Sequence, residues 1–100
     1  MEINKIIKYS KLFDIYGKLL TEKQQQVFTL YYFDDIGLSE IAELCGITKQ
    51  AVKDAVSKVE KILSSYEDTL KIVSKLEKQD VLLEDLDDKL KSKISKIWED

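Results

Sequence analysis

Proline is absent from all 100 residues, and glycine occurs only at Gly17, Gly37 and Gly46. Proline removes a helical donor and clashes with the preceding turn, and glycine loosens the backbone, so a chain with almost neither has little to stop a helix once it starts. Apolar residues recur at three- and four-residue steps almost throughout, the period of a helix and not of a strand. The chain is therefore expected to be all-α. Its length and its 44% hydrophobic content suffice for one modest core, not two.

Charged residues make up 35% of the chain, mixed in sign and summing to −3, which argues against both a strongly basic nucleic-acid coat and a disordered tail. No stretch reaches the roughly 18 apolar residues of a membrane span. The start, MEINKIIKYSK, places charges where an export signal needs its apolar segment, so a cytoplasmic protein is expected. Histidine is absent and Cys45 is the single cysteine, which leaves no internal disulfide, no Cys/His nucleophile pair and no Cys/His zinc set. No cofactor or metal is expected. Base catalysis at neutral pH would need a shifted carboxylate or lysine in a pocket. The acids and lysines recur instead on polar helical faces, and the chain is read as a non-enzyme.

Ile3, Ile6, Ile7, Leu12, Phe13, Tyr16, Leu19 and Leu20 mark one face of a first helix ending near Leu20. Thr21 opens a second. In TEKQ its hydroxyl can accept from the amide three residues on while Gln24 reaches back, a capping box. That helix carries Val27, Phe28, Leu30, Tyr31 and Phe33 to about Asp34, where DDIG breaks it.

The next stretch, GLSEIAELCGITKQAVKDAVSKVE, has the spacing of a helix-turn-helix, with the motif at 38–58. Ser39 is expected to cap the first short helix. Ala42 sits where the two helices approach most closely, and Gly46 falls where the chain must turn with positive φ. Ile47 plugs the turn, Thr48 caps the second helix, and Ile41, Leu44, Val52 and either Val56 or Ala55 close a small core that also takes Cys45.

LTEKQQQVFTLYYFDDIGLSEIAELCGITKQAVKDAVSKVEKIL resembles the promoter-reading region 4 of bacterial sigma factors. The segments LFDIYGKLLTEKQ, LYYFDDIGLSEIAE, QAVKDAV and SSYEDTL resemble more closely the YlxM family, from Leu12 to Val73. The resemblance implies a small cytosolic sigma-region-4-like protein that regulates or assists the signal recognition particle pathway. It also implies that Thr48, Lys49, Gln50, Lys53 and Asp54 form the exposed start of the recognition helix. Lys49 and Ala55 depart from the family's usual arginine and polar residue there.

The residue chemistry at that helix allows base reading, since Gln50 can pair with adenine and Lys49 with guanine. Lys53 and Lys58 are expected near one edge, touching phosphates, while Asp54 either repels the backbone or takes a cytosine amine. Affinity for a duplex is mostly phosphate neutralisation. Between Thr21 and Lys61, five lysines face seven acids, and arginine is absent from the chain, so any duplex DNA binding is expected to be weak. The competing expectation is a non-catalytic adaptor that holds a protein or ribonucleoprotein partner, such as a signal recognition particle component, through the same fold.

Val59, Ile62, Leu63, Tyr66, Leu70, Val73 and Leu76 continue the apolar stripe out of the recognition helix, which either runs long or bends near Ser64 and Ser65. Beyond an expected joint at EKQD, Leu82, Leu83, Leu86, Leu90, Ile94 and Ile97 make a second stripe, with Trp98 at its end. The expected organisation is a helical domain over 1–76 and a C-terminal amphipathic helix over 77–100, packed on that domain or on a second subunit. Homodimerisation through Leu83, Leu86, Leu90 and Ile94 is expected, because these residues form more apolar surface than a lone monomer leaves exposed.

Overall fold

Thr21 and Thr48 start the two helices that supply most of the core. The Gln24 amide donates to the Thr21 hydroxyl at 3.2 Å while the Thr21 amide donates to the Gln24 side-chain oxygen at 3.0 Å, completing the capping box. The Ala51 amide donates to the Thr48 hydroxyl at 3.0 Å. In a computed structural model, residues 2–84 and 88–99 are described. In order they form α1 (Ile3–Tyr16), a 3-10 turn (Gly17–Leu19), α2 (Glu22–Tyr32), α3 (Leu38–Cys45), α4 (Lys49–Leu70), α5 (Ile72–Leu83), α6 (Asp88–Ser95) and a closing 3-10 turn (Lys96–Trp98). The all-α class holds, and among the described residues no helix is long and apolar enough to cross a membrane.

The core is the seam where α1, α2 and α3 lie against α4. Val52, Val56, Val59 and Leu63 follow one another down a single face of α4 and meet Leu12 and Tyr16 from α1, Val27 and Phe28 from α2, and Ile41 from α3. Aromatic rings pin α1 to α2, with Phe13 stacked on Phe28 at 4.9 Å between centroids and Tyr9 tilted against Tyr32 at 5.8 Å. At the polar edge of this layer the Tyr32 hydroxyl donates to Glu60 on α4, and Glu60 also pairs with Lys5 of α1 at 3.2 Å. Burial, and then the bond to Glu60, push the Tyr32 hydroxyl far above its ordinary pKa, so it stays a donor.

Several sequence expectations shift. The first helix ends at Tyr16, with only a 3-10 turn continuing to Leu19. Ile3, Ile7 and Leu19, assigned to its inner face, are largely exposed. Ser39 does not cap α3. Gly37 occupies that position in an extended conformation with no side-chain bond, and Ser39 lies within the helix. Leu44 is 61% exposed and Ile47 41%, so neither closes the helix-turn-helix core. The core there is closed by Ile41, Ala42, Val52 and Val56, with Cys45 half-buried against it. EKQD is not a joint but part of α5.

α4 runs unbroken for 22 residues past Ser64 and Ser65, and the chain turns instead at Lys71, whose φ is 57°. What holds this turn is long-range. The Tyr16 hydroxyl of α1 donates to Glu67 at 2.6 Å, and Glu67 also accepts from the amides of Val73 and Ser74, each at 3.1 Å. The Ile72 amide donates to Tyr16 in turn, at 3.2 Å. The first free amides of α5 are thus capped by a side-chain pair brought together from the two preceding layers. Beyond it, Lys11 and Glu77 join α1 to α5 at 2.8 Å, and the Trp98 ring nitrogen donates to Gln79, which brings the chain's end back beside α5. Neither α5 nor α6 contains a buried residue.

Two stability measurements test this account. At Gly46, φ is 66° and a Cβ would meet nothing within 4 Å, so the cost of substitution is conformational and not steric. Gly46→Val should lower the free energy of urea unfolding by about 1–3 kcal/mol, and Gly46→Asn by clearly less, because asparagine tolerates the left-handed region. For Glu67, burial alone would raise the carboxyl pKa. The bonds from Tyr16, Val73 and Ser74 outweigh that and leave it below the ordinary range. Its contribution is therefore present above the ordinary glutamate pKa and lost as pH falls through the lowered one. Glu67→Ala should abolish that pH dependence and speed hydrogen exchange at the amides of Val73 and Ser74.

Candidate nucleic-acid interface

The turn that aims the recognition helix is built by backbone bonds. The Ile47 amide donates to the Ala42 carbonyl at 3.0 Å and the Gly46 amide to Glu43 at 3.3 Å, a Schellman ending made possible by the left-handed Gly46. Ile47 contributes this amide while the residue stays 41% exposed, so it closes the turn through the backbone and not as a fully buried plug. Ile41 and Ala42 then press on Val52 and Val56, which fixes the rotation of α4 about its own axis.

With that seam inward, Thr48, Lys49, Gln50, Lys53, Asp54 and Lys58 are all exposed. Five residues along a helix turn it by about 140°. Lys53 and Lys58 therefore flank the exposed strip on opposite edges, with Asp54 and Ser57 between them, and do not share one edge. Lys61 lies on the same strip, further along, and is exposed too. The ion pairs among the described residues involve Lys5 and Lys11, and none engages Lys49, Lys53, Lys58 or Lys61.

The acids divide this surface. The Gln50 side-chain amide donates to the Asp54 carboxylate at 2.9 Å, so the group suited to adenine is already held within the helix. An exposed pair of this kind is cheap to open, but the carboxylate it frees sits where phosphates would come. The Thr48 hydroxyl accepts from the Ala51 amide and serves the helix start. On α3 the face turned away from the core carries Glu40, Glu43 and Leu44, all exposed, with Ile47 beside them in the turn.

A family profile described as "Putative helix-turn-helix protein, YlxM / p13 like" matches residues 3–99. The chain belongs to the UPF0122 family. A UPF0122 protein of Halalkalibacterium halodurans is 42% identical over 84 residues, covering 84% of this chain and 77% of its own length. One from Clostridium acetobutylicum is 45% identical over 84 residues, with 84% and 72% covered. A third, from Lactococcus lactis subsp. cremoris, is 45% identical over 86 residues, with 86% and 78% covered. The resemblance read from the sequence is thereby established, and the UPF0122 match extends beyond the helix-turn-helix into α5 and α6.

Because Asp54 is the one acid on the exposed strip between Lys53 and Lys58, removing its charge should strengthen any duplex binding. Asp54→Asn should tighten it about fivefold at low salt, the effect of about 1 kcal/mol for one like charge near a phosphate in water. Fluorescence anisotropy of a labelled duplex reads the change.

Proposed function

We propose that this UPF0122 protein is a regulatory helix-turn-helix protein of the cytoplasm that binds duplex DNA weakly through the outer strip of α4. The observation that carries this reading is that Lys49, Lys53, Lys58 and Lys61 are exposed on α4 with no acid within ion-pair distance among the described residues. Lys53 and Lys58 flank the strip as phosphate contacts, and Lys49 and Gln50 stand at the helix start where base edges are read. The likeness to YlxM supports a role for this activity in the signal recognition particle pathway.

A second reading is favoured by α3. Glu40, Glu43 and the 61% exposed Leu44 lie on one helical face beside Ile47, and neither acids nor apolar side chains assist contact with phosphates. An adaptor would use that face to hold a partner protein or ribonucleoprotein of the same pathway while the helix-turn-helix serves as scaffold.

Titration of a labelled duplex at several salt concentrations separates the two. With two or three lysines reaching phosphates, log affinity should fall against log salt with a slope of about −2 to −3. Lys53→Glu should abolish binding at low salt and leave thermal unfolding unchanged, since this side chain is exposed. If wild-type protein binds no duplex at the lowest salt and retains signal recognition particle components, and Leu44→Glu abolishes that retention, the adaptor reading holds.

A further inference from the structure

α5 and α6 form an arm without a core of its own. Val81 is 64% exposed, Leu82 70%, Ile97 74% and Trp98 53%, and no residue of either helix is buried. Of the expected pairing residues, Leu83 and Ile94 are half-buried within the arm, Leu90 is 44% exposed, and Leu86 lies outside the described residues. The Trp98 ring nitrogen donates to Gln79 at 3.1 Å and so brings the end of the chain to the side of α5. Large apolar side chains exposed on both helices make the arm the candidate interaction surface.

The order of charges says what covers it. Along the sequence the acids Glu84, Asp85, Asp87 and Asp88 come first, and Lys89, Lys91, Lys93 and Lys96 follow with no acid before Glu99. Such a sequence complements its own reverse. Two arms laid antiparallel about a two-fold axis set the acidic start of each α6 against the lysine-rich end of the other, twice over, whereas parallel arms set like charge on like. The helix dipoles of α6 also oppose in the antiparallel arrangement. An anionic bilayer would be repelled by the acids on either side of the lysines, and a nucleic acid would leave Leu82 and Ile97 in water.

We propose that the α5–α6 arm pairs antiparallel with the arm of a second copy of this chain, burying Val81, Leu82, Ile97 and Trp98 between the two hairpins. Each partner of a specific pair covers about 800 Å², and these side chains with the lysine stems between them supply the apolar centre of such an area. The pairing is independent of whether α4 binds DNA.

Sedimentation equilibrium of the full chain at low salt tests it through charge exchange. Wild-type protein should be dimeric. An arm made more basic (Glu84→Lys with Asp88→Lys) and an arm made more acidic (Lys93→Glu with Lys96→Glu) should each raise the dissociation constant about tenfold or more. An equimolar mixture of the two should recover the dimer mass. Leu82→Glu, at an exposed position of α5, should give a monomer of unchanged helicity and keeps the test valid if the charge variants fray α6. A wild-type monomer at every concentration would overturn the proposal, as would unimpaired dimers of Leu82→Glu or, with α6 intact, a mixture that stays monomeric. A monomer that binds phosphatidylglycerol vesicles would assign the arm to a membrane surface instead.

Discussion

The Glu67 carboxylate accepts from a hydroxyl on α1 and from two amides at the start of α5 while belonging to α4 itself. Lys71, the residue between α4 and α5, adopts a left-handed conformation that costs a side-chain-bearing residue about 1 kcal/mol or more. The carboxylate opposes that cost by satisfying amides that would otherwise face the half-buried junction unpaired. Tyr16 is 1% exposed, so the hydroxyl that completes the set is fixed by packing in the main core. The direction of α5 is thus dictated from within the helix-turn-helix unit, and the arm is attached at a defined angle although none of its described residues is buried.

The recognition surface answers to a different balance. α4 must present a hydrophobic seam to three other helices, and this leaves only its outer strip for contact with anything else. On that strip lysines alternate with Asp54 and with Gln50 bound to it, so its field is patchy and not uniformly positive. Glu40 and Glu43 on the neighbouring helix dilute it further. A scaffold with helix-turn-helix geometry and this charge pattern suits modest, salt-sensitive contact and leaves room for a protein surface beside the turn.

Local signals were legible in the sequence because the atoms that interact are neighbours along the chain. The Thr21 and Gln24 capping box, the Thr48 cap and the left-handed Gly46 each involve residues within a few positions, and each is found as read. The stripe of Val52, Val56 and Val59 was legible for the same reason, since helical period alone places it on one side. The Tyr16 and Glu67 pair was not, because it joins residues 51 apart and neither position has a distinctive local context. The joint expected at EKQD, between two apolar stripes, accordingly lies within α5, and the chain turns at Lys71 instead. Leu44 and Ile47 differ for the opposite reason: an apolar side chain near a small core need not enter it, and Leu44 falls on the outer face of α3 with Glu40 and Glu43 while Ile47 sits in the turn, 41% exposed.

The unbroken course of α4 sets a condition on how the chain can vary in length. Its 22 residues carry the recognition strip at one end and Glu67 near the other, with no bulge or kink between to absorb a change. One residue inserted between Val59 and Leu63 would rotate one end against the other by about 100° and lengthen the rod by about 1.5 Å. Glu67 would then swing away from Tyr16, and the valine seam would lose phase with the leucine below it. An insertion of seven residues comes within about 20° of restoring the phase, but it would carry Glu67 about 10 Å beyond Tyr16. The span from Val52 to Glu67 is accordingly fixed in number of residues as well as in pattern, and length variation has to fall outside it, in the α2–α3 connection or beyond α5.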